Sequence, residues 1–258
     1  MGVNRRTVLL SAVGVVMLSV VSDVSLLARP VEPAHTVDSL AYPAMAAHRG
    51  GPIVNPESTM PAFRNIVQDH PGMLLEMDVH QLATGELVIW HDADVNGTPI
   101  STMTGAQWRN VTVPRPGGGT APAAFLSEVL TEFGSTNVTM FVELKAVEAR
   151  QEFIAAVWPH RSNIIVQNFR AEHASVFIRS GLQTLRLSSS YLPPIMDGAY
   201  GVGTRHDLIR PALIQAVHDA GQKVWAWTVN TQPEIDALFD MGVDGVMTDD
   251  PRLTIGGG

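Results

Sequence analysis

The chain has 258 residues, of which 45% are hydrophobic and 16% charged, a composition typical of a folded globular protein and not of a disordered one. Its formal net charge of −8 at pH 7 argues against a nucleic-acid partner, because no basic stripe is present to neutralise phosphates. The sequence has no cysteine, which excludes disulfide bonds and thiolate metal sites. Any metal ion must therefore be held by oxygen or imidazole ligands.

The N-terminus carries a pattern typical of an export signal. Arg5 and Arg6 precede an apolar run over residues 8–21, and a charged segment followed by an apolar one is the secretory arrangement. The adjacent arginines resemble a twin-arginine signal. We therefore expect an exported protein that is secreted or held in the cell envelope.

Cleavage is expected after Ala28 or Ala34, so residues 1–41 would form a signal peptide and linker and residues 42–258 the folded domain. The alternative is a membrane anchor that is never cleaved. The apolar run is shorter than the roughly 20 residues of a spanning helix, although an extension to Ala28 reaches that length.

From about residue 44 onward, apolar runs alternate with amphipathic stretches, a pattern typical of βα units. Strands are expected over residues 44–48, 73–79, 87–91, 138–145, 163–167, 184–187, 223–229 and 245–248. Helices are expected over residues 59–68, 125–133, 147–158, 171–180, 209–220 and 232–241. Eight strands, most of them separated by a helix, predict an α/β fold consisting of one (β/α)₈ TIM barrel.

Three segments fit this repeat poorly. A ninth segment, residues 199–202, is either an extra strand or a loop. The link between Val79 and Leu87 is too short for a helix, so that pair of strands departs from a regular βα unit. Residues 92–120 carry no clear helix or strand; they predict either a lid over the barrel mouth or a solvent-exposed loop.

Three carboxylates interrupt apolar strands. Glu76 and Asp78 are two residues apart, so their side chains share one face of a strand and could chelate one hard cation. Glu143 lies in a second apolar strand, with Lys145 two residues further on. Because buried carboxylates need a cation or hydrogen-bond donors, the pattern indicates a metal site, with an internal Glu–Lys ion pair as the alternative.

Two histidines end apolar runs of the predicted barrel, where His48 is followed by Arg49 and His91 by Asp92. Because the C-terminal ends of barrel strands meet at one mouth, both imidazoles could move protons there near neutral pH. Arg49 offers a bidentate donor fork for a phosphate. Asp92 is expected to orient an imidazole or to cap the following turn. The combination indicates a metal-dependent hydrolase.

Taken in order, these motifs resemble those of the glycerophosphodiester phosphodiesterase family. They are His48-Arg49-Gly50, Pro56-Glu57, Glu76-x-Asp78, His91-Asp92, Val142-Glu143-Leu144-Lys145, Trp227-Thr228-Val229-Asn230 and Gly242-Val243-Asp244-Gly245-Val246-Met247-Thr248-Asp249. The resemblance covers essentially all of the chain after about Met45. It implies a TIM barrel and the hydrolysis of a glycerophosphodiester to an alcohol and glycerol 3-phosphate.

The resemblance also implies roles for individual residues. Glu76, Asp78 and Glu143 would hold one divalent cation, Ca²⁺ or Mg²⁺, and His48 and His91 would form the acid–base pair. We take His48 as the base, although the sequence does not fix which histidine is the acid.

Four further side chains are expected to contact or support the substrate. Arg49 and Lys145 would hold the phosphate oxygens. Glu57 would orient His48 or Arg49, or would simply be a carboxylate at a helix start. Trp227 would contact the glycerol or the head group, with a core tryptophan as the alternative.

The chain departs from the family pattern at positions that surround these groups. Ser58 stands where Asn usually follows Pro-Glu, residues 82–85 read Leu-Ala-Thr-Gly in place of Thr-Lys-Asp-Gly, and residues 93–98 lack an Arg that often follows the second histidine. None of these departures removes a proposed ligand or acid–base group. They bear on the identity of the substrate.

Two other functions are compatible with the sequence. One is a phospholipase D-like hydrolase of lysophospholipid or sphingolipid, which would make transient contact with membrane lipid. The other is a non-catalytic cell-surface binding protein that keeps the barrel.

His80 is expected in a turn beyond its strand and is given no role. The oligomeric state is not fixed by the sequence.

Overall fold

A computed structural model of the chain describes residues 36–190 and 195–256. The predicted export signal, with its cleavage sites after Ala28 or Ala34, therefore lies outside the described residues. Within the described ranges, no helix combines the length and the apolar character needed to cross a membrane.

Eight parallel strands close into a barrel, as the sequence predicts. They are β1 Ala44–Ala47, β2 Leu74–Gln81, β3 Met140–Leu144, β4 Ile164–Asn168, β5 Gln183–Ser188, β6 Gly201–Arg205, β7 Lys223–Trp227 and β8 Gly245–Thr248. Each strand pairs in parallel with the next. The last pairs with the first, with Ala44 opposite Gly245, which closes the sheet.

The helices cover the outside of the barrel, except for a short one over residues 105–108 that lies in the segment after β2. They are α1 Met60–Asp69, α2 Gly105–Trp108, α3 Leu126–Phe133, α4 Arg150–Val157, α5 Ala171–Arg179, α6 Pro211–Asp219 and α7 Gln232–Asp240. Thr59 begins α1 by accepting a hydrogen bond from the Ala62 amide at 3.3 Å, and Pro61 occupies the first turn, where no amide donor is needed. The helix predicted over residues 147–158 is α4 flanked by two short 3₁₀ turns.

One predicted barrel strand is wrong. Residues 87–91 do not join the barrel; Leu87–Ile89 instead pairs antiparallel with the end of β2, with Val79 opposite Ile89. Residues 82–86 are too few for a crossover, so the two segments form a hairpin.

The barrel strand that the sequence left ambiguous is β6. It lies at the segment predicted as either a strand or a loop. Gly201 and Gly203 interrupt its apolar run, which weakens the sequence signal. Both glycines allow a close approach, because a Cβ atom on Gly203 would lie 2.7 Å from the Leu187 side chain and one on Gly201 would lie 2.2 Å from the Lys223 carbonyl oxygen.

Alternate residues of the strands fill the barrel interior. The inner core consists of Val37, Ala44, Ala46, Leu74, Phe141, Ile165, Leu185, Leu187, Trp225 and Met247. The rings of Phe141 and Trp225 meet edge to face, with their centroids 4.5 Å apart. Towards the C-terminal ends of the strands, the same inward positions carry polar groups, so the strand pleat itself directs them to the mouth.

The segment between β2 and α3 forms an insertion, residues 82–125, with a small core of its own. That core consists of Leu82, Val88, Ile100, Met103, Trp108, Val111, Ala123 and Phe125. Residues 92–120, predicted as a lid or loop, contain two short hairpins and α2. None of those residues lines the cavity at the barrel mouth.

Candidate active site

A cavity of about 120 Å³ opens at the C-terminal ends of the barrel strands. Eight of the nine residues predicted for the site line it: His48, Arg49, Glu76, Asp78, His91, Glu143, Lys145 and Trp227. The sequence analysis did not single out the other five: Gln167, Phe169, Leu187, Thr228 and Met247. The remaining predicted residue, Glu57, touches the site through Arg49, its Oε2 lying 3.6 Å from the guanidinium.

Neighbouring strands bring the three carboxylates together. Asp78 of β2 stands opposite Glu143 of β3, and Glu143 stands opposite Gln167 of β4. Glu76, Asp78 and Glu143 are 3%, 2% and 7% exposed. Three carboxyl groups are thus removed from water side by side, which is costly unless cations or donors compensate.

The cost appears in the pKa values of two of these groups. Burial, and then the charge of Asp78, raises the pKa of Glu76 to about 7. The same two causes raise the pKa of Glu143 to about 8. The Lys145 ammonium lies 3.2 Å from Asp78 Oδ1 and 3.2 Å from Glu143 Oε1, so the ion pair considered as an alternative to a metal site is present. Lys145 and Arg49, whose Nε lies 3.6 Å from Asp78 Oδ2, together bring two positive charges to three carboxylates.

The donor set fits a hard divalent cation. Asp78 Oδ2 is buried without a hydrogen-bond partner, with only Arg49 Nε 3.6 Å away. All candidate ligands are carboxylate oxygens, the class that Ca²⁺ and Mg²⁺ prefer. Among the described residues, no three His, Asp or Glu side chains are already arranged as a metal site. The Lys145 ammonium contacts both Asp78 and Glu143.

A tight turn directs Arg49 towards the carboxylates. Arg49, Gly50 and Gly51 have φ angles of 51°, 80° and 77°. A Cβ atom on Gly50 would lie 2.9 Å from Ala62 Cβ, and one on Gly51 would lie 2.8 Å from Pro251 Cδ, so only glycine fits at these two positions. The Arg49 amide donates to Glu76 Oε2 at 2.9 Å.

His48 is held between two carboxylates. Its Nδ1 lies 2.7 Å from Asp249 Oδ1, and its Nε2 lies 4.0 Å from Glu76 Oε2. Burial by itself lowers the pKa of His48, but the hydrogen bond to Asp249 and the charge of Glu76 outweigh burial, and the pKa is raised.

His91 reaches the cavity from the hairpin and not from a barrel strand. Its Nδ1 lies 2.7 Å from Asp92 Oδ1, with the two side chains 36% and 75% exposed. Behind it, His80 Nε2 lies 3.3 Å from the His91 carbonyl oxygen. The prediction that His80 follows its strand in a turn is wrong, because β2 continues to Gln81 and pairs His80 with Val88.

Trp227 and Phe169 form the apolar side of the cavity. The two rings meet edge to face, with centroids 5.6 Å apart and planes at 82°. Trp227 is half-buried at the end of β7 and also packs against the inner core, whereas Phe169 is 39% exposed. A ligand in the cavity therefore meets charge on one side and aromatic surface on the other.

Comparison with known proteins identifies relatives of the whole barrel. The model of the glycerophosphoryl diester phosphodiesterase family matches residues 48–253. A glycerophosphodiester phosphodiesterase of Bacillus subtilis (strain 168) is 22% identical over 246 residues, which cover 80% of this chain and 83% of the relative. A lysophospholipase D of Rattus norvegicus is 24% identical, covering 80% and 82% of the two chains.

A solved structure has the same fold. It is that of a phosphodiesterase from Oleispira antarctica in complex with the product sn-glycerol-3-phosphate. The TM-score is 0.67 and the identity 21%, over 81% of this chain and 94% of the other.

Proposed function

Because the chain belongs to the glycerophosphoryl diester phosphodiesterase family, we propose that it hydrolyses glycerophosphodiesters to an alcohol and glycerol 3-phosphate. The observation that carries this proposal is the composition of one cavity. Two imidazoles, three buried carboxylates, one ammonium and one guanidinium surround it, which provides proton transfer and phosphate binding at the same place.

We propose one divalent cation, Ca²⁺ or Mg²⁺, as the cofactor, held by Glu76, Asp78 and Glu143. The orphaned Asp78 Oδ2 and the raised pKa values of Glu76 and Glu143 support this assignment, because they indicate negative charge in excess of its compensation. When bound, such an ion polarises the phosphoryl group and offsets the charge that builds up during attack. All-oxygen ligands suit both ions, and resupplying each ion to EDTA-treated protein distinguishes them.

The cationic side chains bind the phosphodiester. The Arg49 guanidinium provides a donor fork, and the Lys145 ammonium a mobile point charge. Both already contact carboxylates of the cavity, so they are positioned at its charged side. Non-bridging phosphate oxygens held there would lie in the cavity that both histidines line.

The two imidazoles divide the proton transfers. His48 accepts a proton at Nε2 from the attacking hydroxyl, which is a water molecule or the neighbouring glycerol hydroxyl, as the new P–O bond forms. His91 donates a proton to the leaving alcohol as the old P–O bond breaks. If the glycerol hydroxyl attacks first, a cyclic phosphate forms as the alcohol leaves. His91 then takes a proton from the attacking water, and His48 returns its proton to the 2-oxygen of glycerol as that P–O bond breaks, which gives glycerol 3-phosphate. Glu57 supports Arg49 in this arrangement, across a gap of 3.6 Å.

The aromatic side of the cavity contacts the apolar atoms of the substrate. The Trp227 and Phe169 rings offer a surface to the glycerol carbons or to the head group. Because the cavity measures only about 120 Å³, the remainder of a large alcohol would project past Phe169 into solvent.

A second candidate substrate is lysophospholipid. Phe169 and Ile53 at the mouth are 39% and 47% exposed, and an apolar rim of this kind is a contact surface for acyl chains or a lipid surface. The name of the Rattus norvegicus relative, lysophospholipase D, supports the same candidate. A non-catalytic binding protein is the less favoured alternative, because the proposed acid–base pair and carboxylates are all present in one cavity.

The experiment is turnover of glycerophosphocholine and lysophosphatidylcholine in parallel, by protein treated with EDTA and then resupplied with Ca²⁺ or Mg²⁺. We expect glycerophosphocholine to be hydrolysed only with metal, and the product to be glycerol 3-phosphate. Hydrolysis of neither substrate by a metal-replete sample would overturn the proposal. A faster rate on lysophosphatidylcholine would favour the second candidate.

The proposed location of the protein is outside the cytoplasm. Arg5, Arg6 and the apolar run over residues 8–21 support export, with residues 1–41 as signal and linker and residues 42–258 as the folded domain. The test is fractionation of cells that express the full chain, with mass spectrometry of the mature N-terminus. A double change, Arg5→Lys with Arg6→Lys, should retain the protein in the cytoplasm; an unchanged distribution would contradict twin-arginine export.

A further inference from the structure

Two polar side chains that follow adjacent barrel strands hold each other in a fixed arrangement. Asn230 follows β7 and Asp249 follows β8. Asn230 Nδ2 donates to Asp249 Oδ2 at 2.7 Å, and the Asp249 amide donates to Asn230 Oδ1 at 2.8 Å. Both polar atoms of the Asn230 side-chain amide are therefore bonded to Asp249. These two bonds fix the orientation of the Asp249 carboxylate.

The remaining oxygen of that carboxylate is directed at His48. Asp249 Oδ1 lies 2.7 Å from His48 Nδ1. Since an ionised carboxylate can only accept a hydrogen bond, Nδ1 must carry the proton. The other ring nitrogen, Nε2, is then unprotonated in the neutral imidazole, and it is the nitrogen that lies on the Glu76 side, 4.0 Å from that carboxylate.

A backbone contact ties the same residue to the turn that follows His48. The Ile53 amide donates to the Asp249 carbonyl at 3.2 Å. Asp249 therefore contacts both the imidazole and the loop that begins with it. A side chain that served only to pair β7 with β8 would not need the contact with His48.

We propose that Asp249, clamped by Asn230, is a positioning residue that holds His48 as the tautomer whose unprotonated Nε2 faces the cavity. The inference rests on the proposed function, in which that nitrogen accepts the proton of the attacking hydroxyl. Asp249 itself does not line the cavity. Its effect on the reaction passes through the imidazole, by the same logic as any carboxylate that orients a general base.

The kinetic test compares Asp249→Asn with Asn230→Ala on glycerophosphocholine in the metal-replete protein. An amide can donate as well as accept, so Asp249→Asn no longer fixes the tautomer, and we expect kcat to fall roughly 10²–10³-fold with KM changed less than about 3-fold. Asn230→Ala leaves the carboxylate but frees its rotation, so a smaller loss of about 10-fold is expected. The clamp is rejected if both variants keep the wild-type kcat, or if they alter only KM.

Asp250→Asn is the matched control. This neighbouring carboxylate pairs with Arg252 at 2.7 Å and does not line the cavity. The control should retain the wild-type kcat. A loss in Asp250→Asn equal to that in Asp249→Asn would overturn the clamp, because it would indicate a general disturbance of the segment after β8.

A spectroscopic measurement separates failure of the clamp from failure of the proposed function. ¹⁵N spectra of histidine-labelled protein at about pH 9, with His48→Gln to assign the signals, should show His48 protonated at Nδ1 and not at Nε2. Asp249→Asn should shift this population towards the other tautomer. An Nε2-protonated His48 in the wild type would overturn the clamp even if turnover is normal. Absent turnover with the expected tautomer would instead remove the proposed function.

Discussion

His48 and His91 each pair with a carboxylate, but the two pairs differ strongly in their exposure to solvent. Each has Nδ1 2.7 Å from a carboxylate oxygen. The His48 side chain is 19% exposed and its partner 24%, whereas the values for His91 and its partner are 36% and 75%. His48 is tied to the rigid end of a barrel strand, while His91 lies on the rim of the insertion. The contrast suits a base that must face one fixed phosphorus and an acid that must meet leaving groups of different size.

The largest expected effect comes from removing either imidazole, which tests directly whether the two histidines have different roles. His48→Ala should lower kcat/KM by roughly 10²–10⁴-fold for every glycerophosphodiester, since the attacking hydroxyl always has to lose a proton. His91→Ala should cause a similar loss with glycerophosphocholine but a much smaller one with a nitrophenyl ester, whose leaving group needs no protonation.

The measurement is kcat/KM for both variants on both substrates. A loss in His48→Ala that depends on the leaving group, with a uniform loss in His91→Ala, would reverse the two roles. Equal, uniform losses would leave the acid–base division without support.

The stability of the buried region around His48 should also depend on pH, through the carboxyl groups of Glu76 and Glu143. The pKa values of Glu76 and Glu143 are raised to about 7 and about 8 in the folded protein, above the ordinary value of 4.5 that applies after unfolding. The folded state therefore binds these protons more tightly, and the stability that they contribute is lost as pH rises from about 5 to about 8.

We expect the Tm of the metal-free protein to fall over this interval by on the order of 10 °C. Ca²⁺ or Mg²⁺ in large excess over its Kd should restore stability at the upper end, by about 2.7 kcal/mol at a hundredfold excess. Calorimetry of the wild type and of Glu143→Gln provides the check, because the amide does not titrate and should flatten the dependence. A Tm that rises over the interval in metal-free protein would contradict the assignment.

A smaller effect on kcat is expected for the exposed pair, His91 and Asp92. Asp92 is 75% exposed, so water can replace its hydrogen bond to His91. Asp92→Asn should therefore lower kcat less than about 10-fold, well below the loss expected for Asp249→Asn. Steady-state kinetics of the two variants side by side measure the difference. A larger loss in Asp92→Asn would mean that exposure does not separate the two pairs.

The smallest expected effect concerns the backbone beside His48. Ser58 is buried, has φ 59° and carries a hydroxyl without a hydrogen-bond partner. It is also a departure from the family pattern, where Asn, which adopts this left-handed region more readily, is usual. Ser58→Gly should raise the free energy of unfolding by about 0.5–1 kcal/mol. Ser58→Ala is the control, because it removes the hydroxyl but keeps the Cβ, and denaturant unfolding distinguishes the two.

The sequence was informative wherever a strand is marked by apolar side chains. The barrel, seven of its strands and the grouping of the carboxylates with His48 followed from apolar runs that stop on ionisable groups, whereas Trp227 was expected from the family resemblance. β6 was ambiguous because Gly201 and Gly203 supply space for their neighbours and carry no apolar side chain. The hairpin strand over Leu87–Ile89 was mistaken for a barrel strand because its composition is the same and only its pairing differs.

The site residues that were missed had a signal that could have been used. Gln167 and Phe169 continue the inward positions that begin at Ile165, and Asp249 continues those that include Met247. Counting by two from each inner-core residue leads to all three. Their partners could not be obtained in this way, because the bonds from Gln167 to Glu76 and from Asp249 to His48 join residues 91 and 201 positions apart.

The insertion has a consequence for how such enzymes diversify. It brings His91 to the mouth, yet its apolar residues, Trp108 among them, pack mainly against one another. A segment that folds around its own centre can be exchanged between homologous barrels with little change to the eight strands or to the carboxylates. Transplanting residues 82–125 from a homologous barrel should therefore leave phosphate binding with the recipient and change only how His91 meets the leaving alcohol, because His91 is the one residue of this segment that lines the cavity.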